Sequence, residues 1–319
     1  MKQTENLTVT VIAKQSNGAG NMLLTLVSAS VQPLPDFTPG AHIDVVIPGC
    51  GKRQYSLCSD RKDAQRYEIC VRLDQDSTGG SRWLHQNLEA GDQLLISAPR
   101  NHFPLPDAPR TLLFAAGIGL TPLLMMAETL ADRQADFTLH LYLKHCDELA
   151  FARRLEQLGD RVVIHYSSEG DSLRQRVPTD LTQPHNSVLV SCGPAGFMEH
   201  LHQLAEENGW NISQLYSERF KPVLAAQSLS GGAFEVEIAS SGARYAIAAS
   251  QTIAEVLEEA GIGIELSCEQ GMCGACITGV LTGVPDHRDQ VLSQKERAAN
   301  DCIVLCCSRA HSPLLVLNL

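Results

Sequence analysis

Apolar and polar positions alternate in short runs through the first third of the chain. Leu7–Lys14, Asn21–Ser28, His42–Ile47, Arg53–Ser59, Arg66–Leu73 and Gln93–Pro99 read as strands, with one short helix over Ser81–Leu88. Strands of this length and number predict a small closed antiparallel barrel. After Thr111 the rhythm changes to strand, helix, strand. Thr111–Ala116, Phe137–Leu143, Arg161–Tyr166, Ser187–Ser191 and Gln214–Phe220 are the strands, and their alternation with helical segments predicts a parallel sheet covered on both faces. Residues 225–232 are small and polar and read as a linker. Beyond them, Ala233–Ile238 and Arg244–Ala249 suggest a hairpin, and Thr252-Ile-Ala-Glu255 is a capping box opening a helix that ends near Gly261. The expected fold class is multidomain, β then α/β then α+β, over residues 1–105, 106–224 and 233–319.

Composition narrows the class. Residues 1–20 contain no apolar run of the kind that opens an export signal. The most apolar stretch, Leu112 to Ala127, is broken by Gly117, Gly119, Thr121 and Pro122 and is too short to span a membrane. Eleven cysteines without an export signal imply a reducing, cytoplasmic compartment. A net charge of −11 argues against nucleic acid as a partner.

The sharpest chemical signal lies near the C-terminus. Cys268, Cys273 and Cys276 have C-x4-C-x2-C spacing, and Cys306 follows after 29 further residues. This is the plant-type spacing for a [2Fe–2S] cluster held by four thiolates. Gly271, Gly274 and Ala275 let the loop curl and aim N–H groups at sulfur. Cys302 and Cys307 are also within reach of the fourth position, and spacing favours Cys306.

Two further patterns suggest ligand sites. In Arg53-Gln-Tyr55-Ser56-Leu57, strand alternation puts Arg53, Tyr55 and Leu57 on one face and Ser56 on the other. Arginine can fork onto a phosphate, and tyrosine can stack on a flavin ring. Gly79-Gly80-Ser81 reads either as a plain turn with a serine cap or as an anion site at a helix N-terminus. Ala115-Ala-Gly117-Ile-Gly119-Leu-Thr121-Pro122 takes a buried strand into a glycine turn, with Thr121 expected as N-cap and Pro122 at the first helical position. Such a turn can cradle the pyrophosphate of a dinucleotide, although it is not the G-x-G-x-x-G fingerprint. Cys192-Gly193-Pro194 ends the fourth strand of that layer; the plain reading of Cys192 is a small buried hydrophobe.

Taken in order, R-x-Y-S, G-G-S, G-I-G-x-T-P, C-G-P and C-x4-C-x2-C…C resemble the phthalate dioxygenase reductase family, within the ferredoxin–NADP reductase superfamily. Gly79-Gly-Ser-Arg-Trp-Leu-His85, Pro285-Asp-His-Arg-Asp289 and Cys306-Cys-Ser-Arg309 look most like reductases of the vanillate-demethylating branch. The resemblance implies an FMN-binding barrel, an NADH-binding layer and a β-grasp plant-type ferredoxin domain, serving a separate Rieske non-haem iron oxygenase. It assigns the FMN phosphate to Arg53, Gly80 and Ser81, and the flavin ring to Tyr55 and Leu57, with Ser56 at the N5 edge. Gly117, Gly119, Thr121 and Pro122 would hold NADH, with Cys192 and Gly193 at the nicotinamide edge and Phe220 covering the ring. Ser56, Cys192 and Phe220 are thus the residues expected beside the reacting atoms. Lys144, in Tyr142-Leu-Lys-His-Cys-Asp147, leaves room for a 2′-phosphate, so NADPH stays open.

This set of parts implies a mechanism. Hydride carries two electrons and the cluster takes one, so a flavin is needed between them. No acid–base residue is required, and His85, His287 and Glu269 read as structural groups. The chain has neither a Rieske C-x-H pattern nor a two-histidine–carboxylate triad, so oxygenation belongs to a partner. A free-standing flavin reductase and a non-catalytic redox sensor are the rival classes. Between residues 232 and 319, eleven carboxylates against five Lys or Arg leave a charge of −6, which suits docking on a basic surface.

Overall fold

The computed structural model describes residues 6–319 except 60–64, 75–78, 185, 221–231, 267–270, 272, 273, 290 and 293. The chain divides into two compact units, Met1–Phe220 and Lys221–Leu319. Nearly all of the expected linker lies outside the described residues.

The first unit begins with β1 (Leu7–Ser16), β2 (Asn21–Ser28), β3 (His42–Ile47), β4 (Gly51–Ser56), β5 (Arg66–Arg72) and β6 (Gln93–Ile96), with α1 (Gly80–Asn87) between the last two. Among the described residues they form an antiparallel sheet in the order β4-β3-β6-β1-β2-β5. Its two edges meet just past β4, where Leu57 bridges Ile69 and Cys58 N–H donates to Glu68 O at 2.9 Å. The barrel is thereby nearly closed, which removes the exposed strand edges. Alternate residues point inward: Val9 and Val11, Leu24 and Leu26, Ile43 and Val45, Ile69 and Val71 are all fully buried. Leu84 anchors α1 to this core. Lys14 Nζ donates to the His85 and Leu88 carbonyls at 3.0 and 2.6 Å, satisfying the C-terminal end of α1. His85 Nε2 donates to Val71 O at 2.9 Å, pinning the helix to β5.

The second layer contains β7 (Arg110–Ala116), α2 (Leu120–Asp132), β8 (Asp136–Leu143), α3 (Ala152–Leu158), β9 (Val162–Tyr166), β10 (Ser187–Cys192), α4 (Ala195–Glu207) and β11 (Leu215–Glu218). The strands are parallel in the order β11-β10-β7-β8-β9. Both faces are covered. Leu113, Ala115, Leu139 and Leu141 pack under α2 and α3, while Leu112, Phe114 and Leu189 pack under α4. The chain leaves β7 toward β8 and returns on its other side at β10, so the crevice lies at the C-terminal ends of β7 and β10. Beneath the α4 face, His140 Nδ1 and His165 Nε2 share a hydrogen bond at 3.0 Å, and the two rings are held by Asp180 and Asp171 at 3.1 and 2.9 Å.

Two helix starts differ from expectation. Gly79, at φ 109°, is the N-cap of α1, so Ser81 lies inside the first turn and its Oγ instead accepts from Asp74 N–H at 3.2 Å. Gly117–Gly119 forms a tight 3-10 turn running straight into α2, whose N-cap is Gly119. Thr121 therefore does not cap; its hydroxyl donates back to Ile118 O at 3.0 Å. Pro122 is tolerated because N–H groups in a first helical turn have no intrahelical acceptor.

The second unit has β12 (Phe234–Ile238), β13 (Arg244–Ile247), α5 (Ile253–Glu259), β14 (Ile277–Thr282), β15 (Pro285–Asp286), α6 (Gln294–Ala299), β16 (Cys302–Val304), β17 (Arg309–Ala310) and β18 (Leu314–Leu317). The main sheet runs β13-β12-β18-β14-β16, with β12 and β18 parallel and the other pairs antiparallel. It curls around α5, whose Ile253, Ala254 and Leu257 enter the core, which is a β-grasp. The capping box forms as the sequence predicts: Glu255 N–H donates to Thr252 Oγ1 at 3.1 Å, and Thr252 N–H donates to Glu255 Oε2 at 2.8 Å. Arg309 is wholly buried, donating to Gln251, Ala248 and Gly232 carbonyls at 2.7, 3.1 and 3.2 Å beside the Phe234 ring.

Candidate functional site

The first site is a corner between β4 and α1. A Cβ on Gly80 would lie 3.0 Å from Arg53 Cγ and 3.3 Å from Ile47 Cδ1, so the Arg53 stem lies tightly against the first helical turn and a side chain there would push it aside by a few tenths of an ångström. Among the described residues no side chain caps α1. The helix N-terminus and a guanidinium thus share one corner, and that combination fits a phosphate. Tyr55 is half-buried against the barrel core, and burial raises its hydroxyl pKa, so it stays a neutral donor. Ser56 is buried, opposite His42. Leu57 is different. The strand ends at Ser56, and Leu57 turns into the barrel, where it is 0% exposed. It supports the Tyr55 strand from inside the barrel core.

The second site is built from backbone. Gly117 has φ 56°, and a Cβ on Gly119 would lie 2.1 Å from Cys192 O, so the turn packs directly on the end of β10. A Cβ on Gly193 would collide with Ala116 Cβ and Phe197 Cδ1, both at 2.9 Å. These glycines bring the N-terminus of α2 to the sheet crevice, a geometry suited to a pyrophosphate. Sequence reading missed Arg72. From the end of β5 its Nη1 lies 2.8 Å from where a Gly117 Cβ would be, carrying a cation from the barrel to the turn. Its only sequence signal is a charge at the end of an apolar strand.

Cys192 is 0% exposed and pairs across the sheet with Glu218. Burial pushes its thiol well above the ordinary cysteine range, and the Glu218 carboxylate adds to that shift. The thiol is therefore a neutral wall rather than an ionised group. Glu218, also missed from sequence, has an enclosed Oε2 with no hydrogen-bond partner among the described residues, and burial raises its pKa to about 8. A carboxyl so perturbed, at the C-terminal end of a strand of the parallel sheet, is a candidate functional group of this crevice. Phe220 closes the described part of this unit and is 39% exposed.

The third site is the cysteine loop. Cys268, Cys273 and Glu269 lie outside the described residues. Cys276 and Cys306 are buried and adjacent, with Leu305 N–H donating to Cys276 O at 3.3 Å. Gly271 N–H donates to Cys306 Sγ at 3.2 Å, the contact that stabilises a thiolate ligand. Gly271 is held at φ 73°, and its Cβ would lie 2.5 Å from Cys307 Sγ. Asp289 braces the loop from below: Leu292 N–H donates to its Oδ2 at 2.8 Å, and Arg297 lies 3.5 Å away. These residues fit an iron–sulfur cluster. Among the described residues no three metal-binding side chains converge. Nor, among them, is any helix long and apolar enough to cross a membrane.

Comparison with known proteins agrees with this layout. Residues 236–311 match the family model of the 2Fe-2S iron-sulfur cluster binding domain. The vanillate O-demethylase oxidoreductase of Pseudomonas sp. (strain HR199 / DSM 7063) is 43% identical over 93% of this chain and 94% of its own length. Phthalate dioxygenase reductase, a modular structure for electron transfer from pyridine nucleotides to [2Fe-2S], superposes with TM-score 0.70 at 31% identity, covering 98% of both chains. An intact type IV self-sufficient cytochrome P450 monooxygenase gives TM-score 0.87 at 36% identity over all of this chain and 42% of that one. Barrel, parallel layer and β-grasp unit therefore recur in the same order, and the chain belongs to the phthalate dioxygenase reductase family of iron–sulfur flavoprotein oxidoreductases.

Proposed function

We propose that this chain is the reductase component of a two-component Rieske non-haem iron oxygenase of the vanillate-demethylating kind, carrying electrons from NADH through FMN and a [2Fe–2S] cluster. The end-to-end likeness to a vanillate O-demethylase oxidoreductase carries the reading, because it covers all three sites in one chain. Bound flavin would supply the conversion of a two-electron donation into one-electron deliveries. Arg53 and the α1 N-terminus hold the FMN phosphate, Tyr55 supports the ring, and Ser56 lies at the end of the same strand. The Gly117–Gly119 turn and Arg72 hold the dinucleotide pyrophosphate. Glu218, its pKa raised to about 8, is mostly protonated at neutral pH, so it adds little buried charge to the cleft. At the C-terminal end of β8, Lys144 N–H donates to Glu148 Oε2 at 2.9 Å; that carboxylate repels a 2′-phosphate and favours NADH. The cysteine-rich chain suits a reducing cytoplasm.

A haem acceptor is the second reading, since the P450 monooxygenase contains a similar unit. The match to free-standing reductases over their whole length favours a separate acceptor. Chromatography of flavin released from the purified protein should give FMN, and a stoichiometric FAD peak overturns that assignment. Arg53→Ala should lose most of its flavin while keeping its iron; wild-type flavin retention would remove Arg53 from the phosphate site. NADH-driven reduction of a co-purified Rieske oxygenase tests the partner, and reduction of a P450 alone would select the haem reading.

A further inference from the structure

One side chain of the parallel layer reaches three segments of the first unit at once. Arg154, on α3, directs Nε and Nη2 onto the two carboxylate oxygens of Glu128 at 2.6 Å each, a bidentate fork. Its Nη1 donates to the Cys58 carbonyl at 2.5 Å and lies 3.8 Å from Glu68 Oε2. Glu128 belongs to α2, the helix that starts at the glycine turn. Cys58 follows directly on the strand bearing Arg53, Tyr55 and Ser56, and Glu68 lies on β5, which ends at Arg72. The guanidinium therefore connects the segments that carry the two ligand sites. It is 17% exposed, and the carboxylates it faces are 21% and 23% exposed, so the pairs are only partly screened by water. Its helix is itself fixed to the barrel: Phe151, the N-cap at φ 56°, donates its N–H to Asn17 Oδ1 at 2.9 Å.

We propose that Arg154 is a positioning residue for hydride transfer, setting the separation between the flavin corner on β4 and the nucleotide turn on α2 without touching either ligand. This rests on the function proposed above. Lysine is an imperfect replacement, because its ammonium lacks the planar fork that grips both Glu128 oxygens while its far edge reaches the Cys58 carbonyl. Misplacing reacting groups by 1 Å can cost on the order of a hundredfold in rate.

The test is stopped-flow flavin reduction in the holoprotein, using whichever pyridine nucleotide reduces the wild type. Arg154→Met should slow reduction at saturating nucleotide at least tenfold, with the half-saturating nucleotide concentration changed less than threefold. Flavin and iron content and the chemically reduced cluster spectrum should match the wild type. Without nucleotide, amide hydrogen exchange should rise at 57–59 and 147–151 in the variant. Should Arg154→Met not fold, Glu128→Gln keeps the shape of the fork and should give a smaller loss with the same signature. The proposal is overturned if a folded variant reduces flavin within twofold of wild type, if the rate falls only in proportion to lost flavin, or if only half-saturation moves. A wild type that no pyridine nucleotide reduces would sink the proposed function instead, and the variant-to-wild-type exchange difference still reports on the seam.

Discussion

Cys192 and Cys306 are both buried where a strand ends, one in each unit, yet their surroundings prepare them for opposite chemistry. Around Cys192 there is burial in apolar packing and the Glu218 carboxyl, both of which keep the thiol protonated. Around Cys306 a backbone N–H, that of Gly271, points at sulfur. Burial alone says nothing about role. A buried sulfur becomes a ligand when donors stabilise its charge, and a packing group when they are lacking.

The largest effect should come from the second unit. Cys306→Ser should abolish or gravely weaken the [2Fe–2S] paramagnetic signal and lower the iron content, because iron requires the thiolate. Cys307→Ser should leave both near wild type. Loss of signal in Cys307→Ser with retention in Cys306→Ser would shift the ligand by one position. In both variants NADH-dependent dye reduction should survive, since the flavin and nucleotide sites lie in the other unit.

A middle-sized effect is expected at Glu218. The folded group titrates near pH 8, well above the ordinary glutamate value, so between those pH values the folded state binds more protons than the unfolded. Stability should therefore fall as pH rises from about 4.5 to 8. Glu218→Gln should melt higher than wild type at pH 9, with the gap closing toward pH 5. The rate of flavin reduction in the wild type should also break near pH 8, and that break should vanish in the variant. A break that persists in Glu218→Gln belongs to another group.

The smallest effect is expected at Cys192 itself. Cys192→Ala should cost about 1 kcal/mol in urea unfolding, and flavin reduction should stay within about tenfold of wild type with the pH break intact. A hundredfold loss would make the thiol a participant in the reaction and erase the contrast with a mere packing role.

Short apolar runs placed the strands of the barrel and of the parallel layer to within a few residues, because burial on one face or on both leaves a readable pattern. In the second unit only β12 and β13 were read, and β14, β16 and β18 beyond the cysteine loop were not. The Thr252–Glu255 capping box formed as read, since its hydrogen bonds are local. Local rules failed where a turn or bridge intervened. Gly79 and the Gly117–Gly119 turn opened their helices ahead of Ser81 and Thr121, which the sequence offered as caps. Past the end of β4, Leu57 bridges Ile69 and is fully buried, where strict alternation would have kept it on the face of Arg53 and Tyr55.

By itself the sequence determined the order of the layers, the glycine turns and the spacing of the cluster cysteines, all properties of neighbours along the chain. Only the tertiary structure decided that Arg72 reaches Gly117, that Glu218 sits beside Cys192, and that Arg154 joins Cys58 to Glu128. Each of these joins segments far apart in sequence, and their charges acquire a role only where packing excludes water and fixes a partner.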